Sequence, residues 1–447
     1  MPTTALNDPG AATEDRLAAL RAHLDGAPSL PSFTRESNNH IHTIYSFSPY
    51  TPTMACLRGR EAGLQVVGSV DHDSIAAAAE MREAGAMLGM GVVTGFECRV
   101  KLHTIDEEES GRARFAEVKL NNPDSAGVAY VTVQGIPARS RARVEEFLAP
   151  IRAARLERTR AMAWAANEIL ASVGAPGFDF DRDVVGASQY ARGGTVTERH
   201  LLFAMASALV DGFGRGPALV EGLDRMGATT AGAARERLAD ADNPHLVYDL
   251  LGILKAEYLD RFYIQPDHQE RGGELPDART VVEFAKSVGA VPCYAYLGDV
   301  TASPTGDKRA EKFEDDYLDE LVGHLAELGF PAITYMPPRN TPEQLERLAR
   351  LCAEHGLMEV SGVDINTPRQ EFGCPELSEP RFAHLNTSTW ALVAHEVLAQ
   401  RPGHGLLDPA DPLAGLPLRE RVERYGALGP RLVAGESPES IAKELER

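Results

Sequence analysis

Cysteine is scarce in this 447-residue sequence: Cys56, Cys98, Cys293, Cys352 and Cys374 stand alone, with no Cys-x-x-Cys pair among them. That scatter argues against a disulfide framework or a thiolate metal site, and for buried thiols in a reducing compartment. Basic charge is also in short supply, 45 Lys and Arg against 65 Asp and Glu, for a formal net charge of −20. The imbalance disfavours nucleic acid or an anionic membrane as a broad surface partner, but not a small anion held in a local basic pocket. No apolar run is long enough to span a bilayer, and Met1 to Gly10 carries neither a basic n-region nor an apolar h-region. A soluble cytoplasmic protein is the expectation. No internal repeat is found.

Apolar residues are plentiful, 43% of the chain, so a large core can form. From residue 36 the pattern alternates strand and helix, which argues for parallel strands joined by crossover helices, an α/β class whose chemistry sits at the carboxyl ends of the strands. The expected division is an N-terminal extension (1–35), a β/α barrel in two pieces (36–138 and 272–380), an all-α insertion (139–271) and a C-terminal helical tail (381–447). The tail reads as a packing or homo-oligomer element.

Successive strand ends carry side chains that bind cations. His40-x-His42 lies on a strand-like run, where the period of two turns both imidazoles to one face. The run Leu64–Val70 ends in Asp71-His72-Asp73, the next ends in Phe96-Glu97, and the last clear strand, Leu357–Gly362, ends in Val363-Asp364-Ile365-Asn366. Two histidines, a glutamate and an aspartate make an N2O2 set suited to Zn, Mn or Fe. A metal-assisted hydrolase is the chemistry such a set supports. His103 and the acidic run Asp106 to Glu109 read instead as solvated surface.

These motifs resemble the PHP (polymerase and histidinol phosphatase) family. The resemblance rests on His40-x-His42 followed by Tyr45-Ser46, on Asp71-His72-Asp73, on Gly95-Phe96-Glu97 and on Ser361-Gly362-Val363-Asp364. It implies a distorted seven-stranded β/α barrel and a metal-dependent phosphoesterase. The helical block is similar to that of the nucleotide-phosphatase branch, whose phosphate-contacting segment corresponds to Gly194–His200 here and implicates Arg199 and His200. The chain departs from the family pattern where histidines are expected: Tyr130, Tyr296 and Asn366 stand at three such places. The resemblance therefore implies a reduced site, with one divalent ion held by His40, His42, Glu97 and Asp364. His72 or Asp71 would handle protons, and Arg199, His200, Tyr296, Asn366, Lys308, Arg309 and Arg369 would line a pocket for a phosphorylated small molecule or nucleotide. Two alternatives stay open: a mononuclear hydrolase or lyase acting on another bond, and a catalytically inactive binding protein.

Overall fold

The computed structural model describes residues 5–26, 29–228, 231–300 and 312–446. Helix α1 (Thr13–Gly26) precedes the sheet. It docks through Arg16, a buried guanidinium whose Nη2 donates to Glu80 Oε2 at 2.6 Å.

Seven strands form one sheet in chain order: β1 (Ser37–Ile41), β2 (Val66–His72), β3 (Gly91–Lys101), β4 (Val128–Gln134), β5 (Val291–Ala295), β6 (Ala332–Tyr335) and β7 (Met358–Ser361). Helices α2 (Pro52–Glu61) and α3 (Ala78–Met87) cross over between the first three strands, which pair in parallel. β4 departs from the alternating pattern and runs antiparallel to both β3 and β5. Only a loop with one short helical turn joins β3 to β4, so no crossover helix forces the parallel direction. β5, β6 and β7 are again parallel. The sheet curls until its outer strands touch at an isolated bridge, Ile41 to Ile365, just beyond β7. There His42 N–H donates to Ile365 C=O at 2.9 Å, and Ile365 N–H donates to His40 C=O at 3.1 Å. The fold is mixed α/β, about half helical, on a curled seven-stranded sheet.

Between β4 and β5 stands a run of helices: α4 (Arg141–Ser172), α5 (Glu198–Phe213), α6 (Pro217–Met226), α7 (Gly232–Ala239), α8 (Leu246–Tyr258) and α9 (Ala278–Ser287). All but α9 share an apolar cluster of their own, which includes Met162, Leu201, Met205, Leu250 and Leu254. A buried ionic network ties this block to the sheet. Arg155 of α4 donates to Asp73 Oδ2 at 2.8 Å and to Glu198 Oε2 at 2.7 Å, while Arg99 of β3 reaches Glu198 and Glu274.

Helices α10 (Leu318–Leu328) and α11 (Pro342–His355) complete the β/α pattern. The tail helices α12 (Ala383–Leu398), α13 (Leu418–Val433) and α14 (Pro438–Leu445) share a cluster with Val66, Val93, Val291, Ala332 and Met358. Those residues lie at or near the amino ends of their strands, so the tail covers the end of the sheet opposite Glu97 and His72. Among the described residues, no helix is long and apolar enough to cross a membrane.

Candidate functional site

At the carboxyl ends of β1, β2, β3 and β7 the structure gathers His40, His42, His72, Glu97 and Asp364. His40 is on β1 and His42 follows it directly. Their backbones are fixed by the bridge to Ile365 and, at His40, by its N–H donating to Asn38 Oδ1 at 3.0 Å. His72 ends β2 opposite Glu97 of β3 in the ladder. The turn after it is pinned by Asp73, which has a left-handed backbone (φ 51) and whose N–H donates to Glu97 C=O at 2.7 Å.

Glu97 is the centre of the cluster. Its Oε1 lies 3.4 Å from His40 Nε2, and its Oε2 lies 3.8 Å from His42 Nε2 and 3.0 Å from His72 Nδ1. Asp364 Oδ1 lies 3.4 Å from His42 Nε2. Ligands about 2.0–2.2 Å from a tetrahedral ion stand about 3.3–3.6 Å apart, so this spacing suits a shared cation. His72 Nδ1 is buried and, although close to Glu97, is not aligned for a hydrogen bond. Unpaired lone pairs facing carboxylate oxygens fit an ion better than they fit a network of protons. Two overlapping triads meet this test, His40–His42–Asp364 and His42–His72–Glu97, with His42 common to both.

A relay behind His42 sets which nitrogen faces the cluster. Asp71 Oδ1 accepts Thr43 N–H at 2.6 Å and Ser46 Oγ–H at 2.7 Å, and its Oδ2 accepts Thr43 Oγ1–H at 2.6 Å. An ionised carboxylate has no proton to give, so the serine hydroxyl donates to Oδ1. Ser46 Oγ then offers only lone pairs to His42 Nδ1, 3.3 Å away. His42 is therefore protonated at Nδ1 and bare at Nε2, the tautomer a ligand needs.

Burial and the neighbouring His72 push the His42 pKa down to about 3, which keeps this ring neutral. Burial also opposes charge on His40, but Glu97 and Asp364 outweigh it and raise that ring. Burial would raise Glu97, yet His40 and His72 hold it well below the usual carboxylate range. Asp364 follows the same pattern and is lowered by His42, His40 and Arg199 against its burial.

His40, His72, Glu97 and Asp364 line a cleft of about 740 Å³, counting the solvent at its mouth, and His42 lies behind them. Arg199 and Lys255 reach the same cleft. Arg199 Nη1 donates to Asn366 Oδ1 at 2.9 Å, and Asn366 Nδ2 donates to Asp364 Oδ1 at 2.7 Å. Asn366 thus aims both its neighbours. Tyr130 and Tyr296 line the cleft too, but the Tyr296 hydroxyl donates away to Asp315 Oδ1 at 2.6 Å.

The remaining sequence candidates go elsewhere. Asp71 lies behind His42, where burial raises its pKa against the bonds from Thr43 and Ser46, and it does not line the cleft. His200 is buried, and its Nδ1 accepts Thr197 N–H at 3.1 Å as part of a capping box at the start of α5. Burial and Arg155 hold His200 at about 3, so it carries no charge for an anion. Arg369 is engaged by Asp249 at 2.6 and 2.7 Å and by Asn243, away from the cleft. Lys308 and Arg309 lie outside the described residues. Lys255 and the Ser46–Asp71 relay went unnoticed in the sequence. Lys255 sits on an amphipathic helix of the helical block, and no local pattern marks which of that helix's polar residues faces the cleft.

No protein-family model matches the chain, and no curated protein is similar to it. Several solved structures are similar in shape, two of them as follows. One is described as a metal-dependent phosphoesterase from Bifidobacterium adolescentis (TM-score 0.46, 22% identity, 78% of this chain and 93% of that one). The other is an amidohydrolase from Chromobacterium violaceum with bound sulfate and no metal (TM-score 0.49, 18% identity, 75% of this chain and 89% of that one). Likenesses this loose leave the site's own geometry as the ground for a function.

Proposed function

We propose that the chain is a metal-dependent phosphoesterase of PHP type, acting with a single divalent ion on the phosphate ester of a small molecule or nucleotide. One observation carries this reading: a single cleft brings metal donors and cations together. His40, Glu97 and Asp364 line it with His42 packed against them, a donor set for Zn, Mn or Fe, and Arg199 and Lys255 line it as well, a match for phosphate oxygens. When bound, a divalent ion supplies Lewis acidity toward a phosphoryl oxygen and toward water.

The residues of the chain do the rest. Arg199, held by Asn366, and Lys255 bind and orient the phosphate and offset the charge that builds on its oxygens. His72 is 15% exposed, and its Nδ1 is sealed against Glu97, so the remainder of the ring faces the cleft. From there it serves as the proton carrier between water and the leaving oxygen. Ser46 and Asp71 are positioning residues that hold His42 in its ligand tautomer. The curled sheet supplies the strand ends of the PHP-type barrel, and 139–271 is the insertion that brings Arg199 and Lys255 over them.

The test is hydrolysis of a panel of phosphomonoesters, carboxylic esters and amides by the wild type and by His42→Ala and Asp364→Asn. The account expects metal-dependent release of phosphate that both substitutions abolish while circular dichroism is unchanged. Turnover confined to esters or amides, or full activity in either variant, would overturn it.

A further inference from the structure

A second cluster of ligand-type side chains lies outside the cleft. His103 follows the end of β3, Glu108 sits on the short helical turn Ile105–Glu109, and His268 lies in the segment returning from the helical block to the sheet. His103 is 3% exposed and His268 is fully buried. All four of their ring nitrogens lack a hydrogen-bond partner. Buried imidazoles with nothing at either nitrogen are unfavourable as they stand.

Their arrangement supplies the remedy. Glu108 Oε2 lies 2.8 Å from His268 Nε2, without the alignment of a hydrogen bond, and 3.9 Å from His103 Nε2. The three ligand atoms fall within 4.8 Å of one another. These separations bracket the roughly 3.3 Å edge of a tetrahedron around an ion with ligands about 2.0–2.1 Å away. On the far side of His268, Nδ1 lies 3.6 Å from Glu270 Oε2, a second carboxylate within reach.

We propose that His103, Glu108 and His268 form a second divalent-ion site of zinc type, which staples the exit of β3 to the returning segment. The backbone already brings the two segments together. Lys101 pairs with Asp277 in an isolated bridge, Lys101 N–H donates to Pro276 C=O at 3.0 Å, and His268 pairs with Leu275. Arg271 Nη1, 3.5 Å from Glu108 Oε2, now shares that carboxylate; it is 36% exposed and swings into solvent when the ion takes its place. Two imidazoles and one carboxylate leave a fourth position for water. None of His103, Glu108 and His268 lines the cleft, so the site is separate from it.

The experiment uses the full chain carrying His42→Ala and Asp364→Asn, which removes two donors from the cleft. It is titrated with Zn, with Co as the visible reporter of tetrahedral geometry, and the bound metal per chain is measured after dialysis. The result expected is one tightly bound ion, tetrahedral Co absorption, and a thermal midpoint raised by Zn. Adding Glu108→Gln and His268→Gln should cut retained metal to below half and remove both signatures. If the pair of changes at Glu108 and His268 unfolds the chain, Glu108→Gln alone, at a half-buried carboxylate, replaces it. A folded cleft-disabled chain that retains no Zn, or that retains it equally with Glu108→Gln, overturns the proposal.

Discussion

Ser46→Ala isolates the relay behind His42. The side chain touches neither the cleft nor a ligand oxygen; it accepts His42 Nδ1–H and donates to Asp71 Oδ1 at 2.7 Å. Without it, a ring that is 1% exposed loses the acceptor for its Nδ1 proton. A buried donor left unpaired costs about 1–3 kcal/mol. The ring can relieve that cost by moving its proton to Nε2, which faces Asp364 and Glu97 and is then closed as a ligand. Loss of a partner that orients a metal-bound histidine lowers affinity about 10–100-fold, or about 1.4–2.7 kcal/mol. The assay is competition with a chromophoric chelator at neutral pH, with circular dichroism as the control for folding. Affinity within about two-fold of wild type in a folded Ser46→Ala chain would refute the tautomer argument.

Three more outcomes follow from the same structure. Arg155→Met leaves the buried Asp73 carboxylate without its ion-pair partner and takes one of several from Glu198, and should cost about 3–5 kcal/mol in urea unfolding; a loss near zero would mean the network is not buried as described. Arg199→Met and Lys255→Met should raise KM for a phosphomonoester about tenfold each while leaving metal content intact, and equal loss of metal would reassign them. His395 is buried, with Nε2 2.8 Å from Gly289 C=O and Leu406 N–H donating to Nδ1, and burial pushes its pKa from 6.5 down to about 4. The unfolded chain therefore takes up that proton first: this ring's contribution is constant above about pH 6.5 and falls with pH, by about 2 kcal/mol at about pH 5. Urea midpoints of wild type and His395→Gln should converge as pH drops, and a gap that does not change with pH would contradict it.

What could be read in the sequence was what local periodicity encodes. His40 and His42 share a face because strand side chains alternate, and Glu97, His72 and Asp364 mark strand ends that a sheet of this class brings to one edge. The direction of β4 was not legible, since a loop carries no crossover signal. His200 looked like a phosphate contact beside Arg199, yet hydrogen bonding within three residues turns it back to cap its own helix. Arg369 was drawn to Asp249 on α8, a partner far away in the chain. Lys255 in the cleft and the His103–His268 contact depend on how the helical block returns to the sheet, which no window of sequence contains. His103, read as surface beside an acidic run, is buried because the returning segment covers it.

The most direct test of the phosphoesterase account is metal content and phosphomonoester hydrolysis measured together on wild type and Glu97→Gln, the residue whose two oxygens face three histidines. The account predicts that the variant holds one ion fewer per chain than wild type and releases no phosphate, with its circular dichroism unchanged. Equal metal content in the two proteins, or phosphate release that survives the substitution, would contradict it.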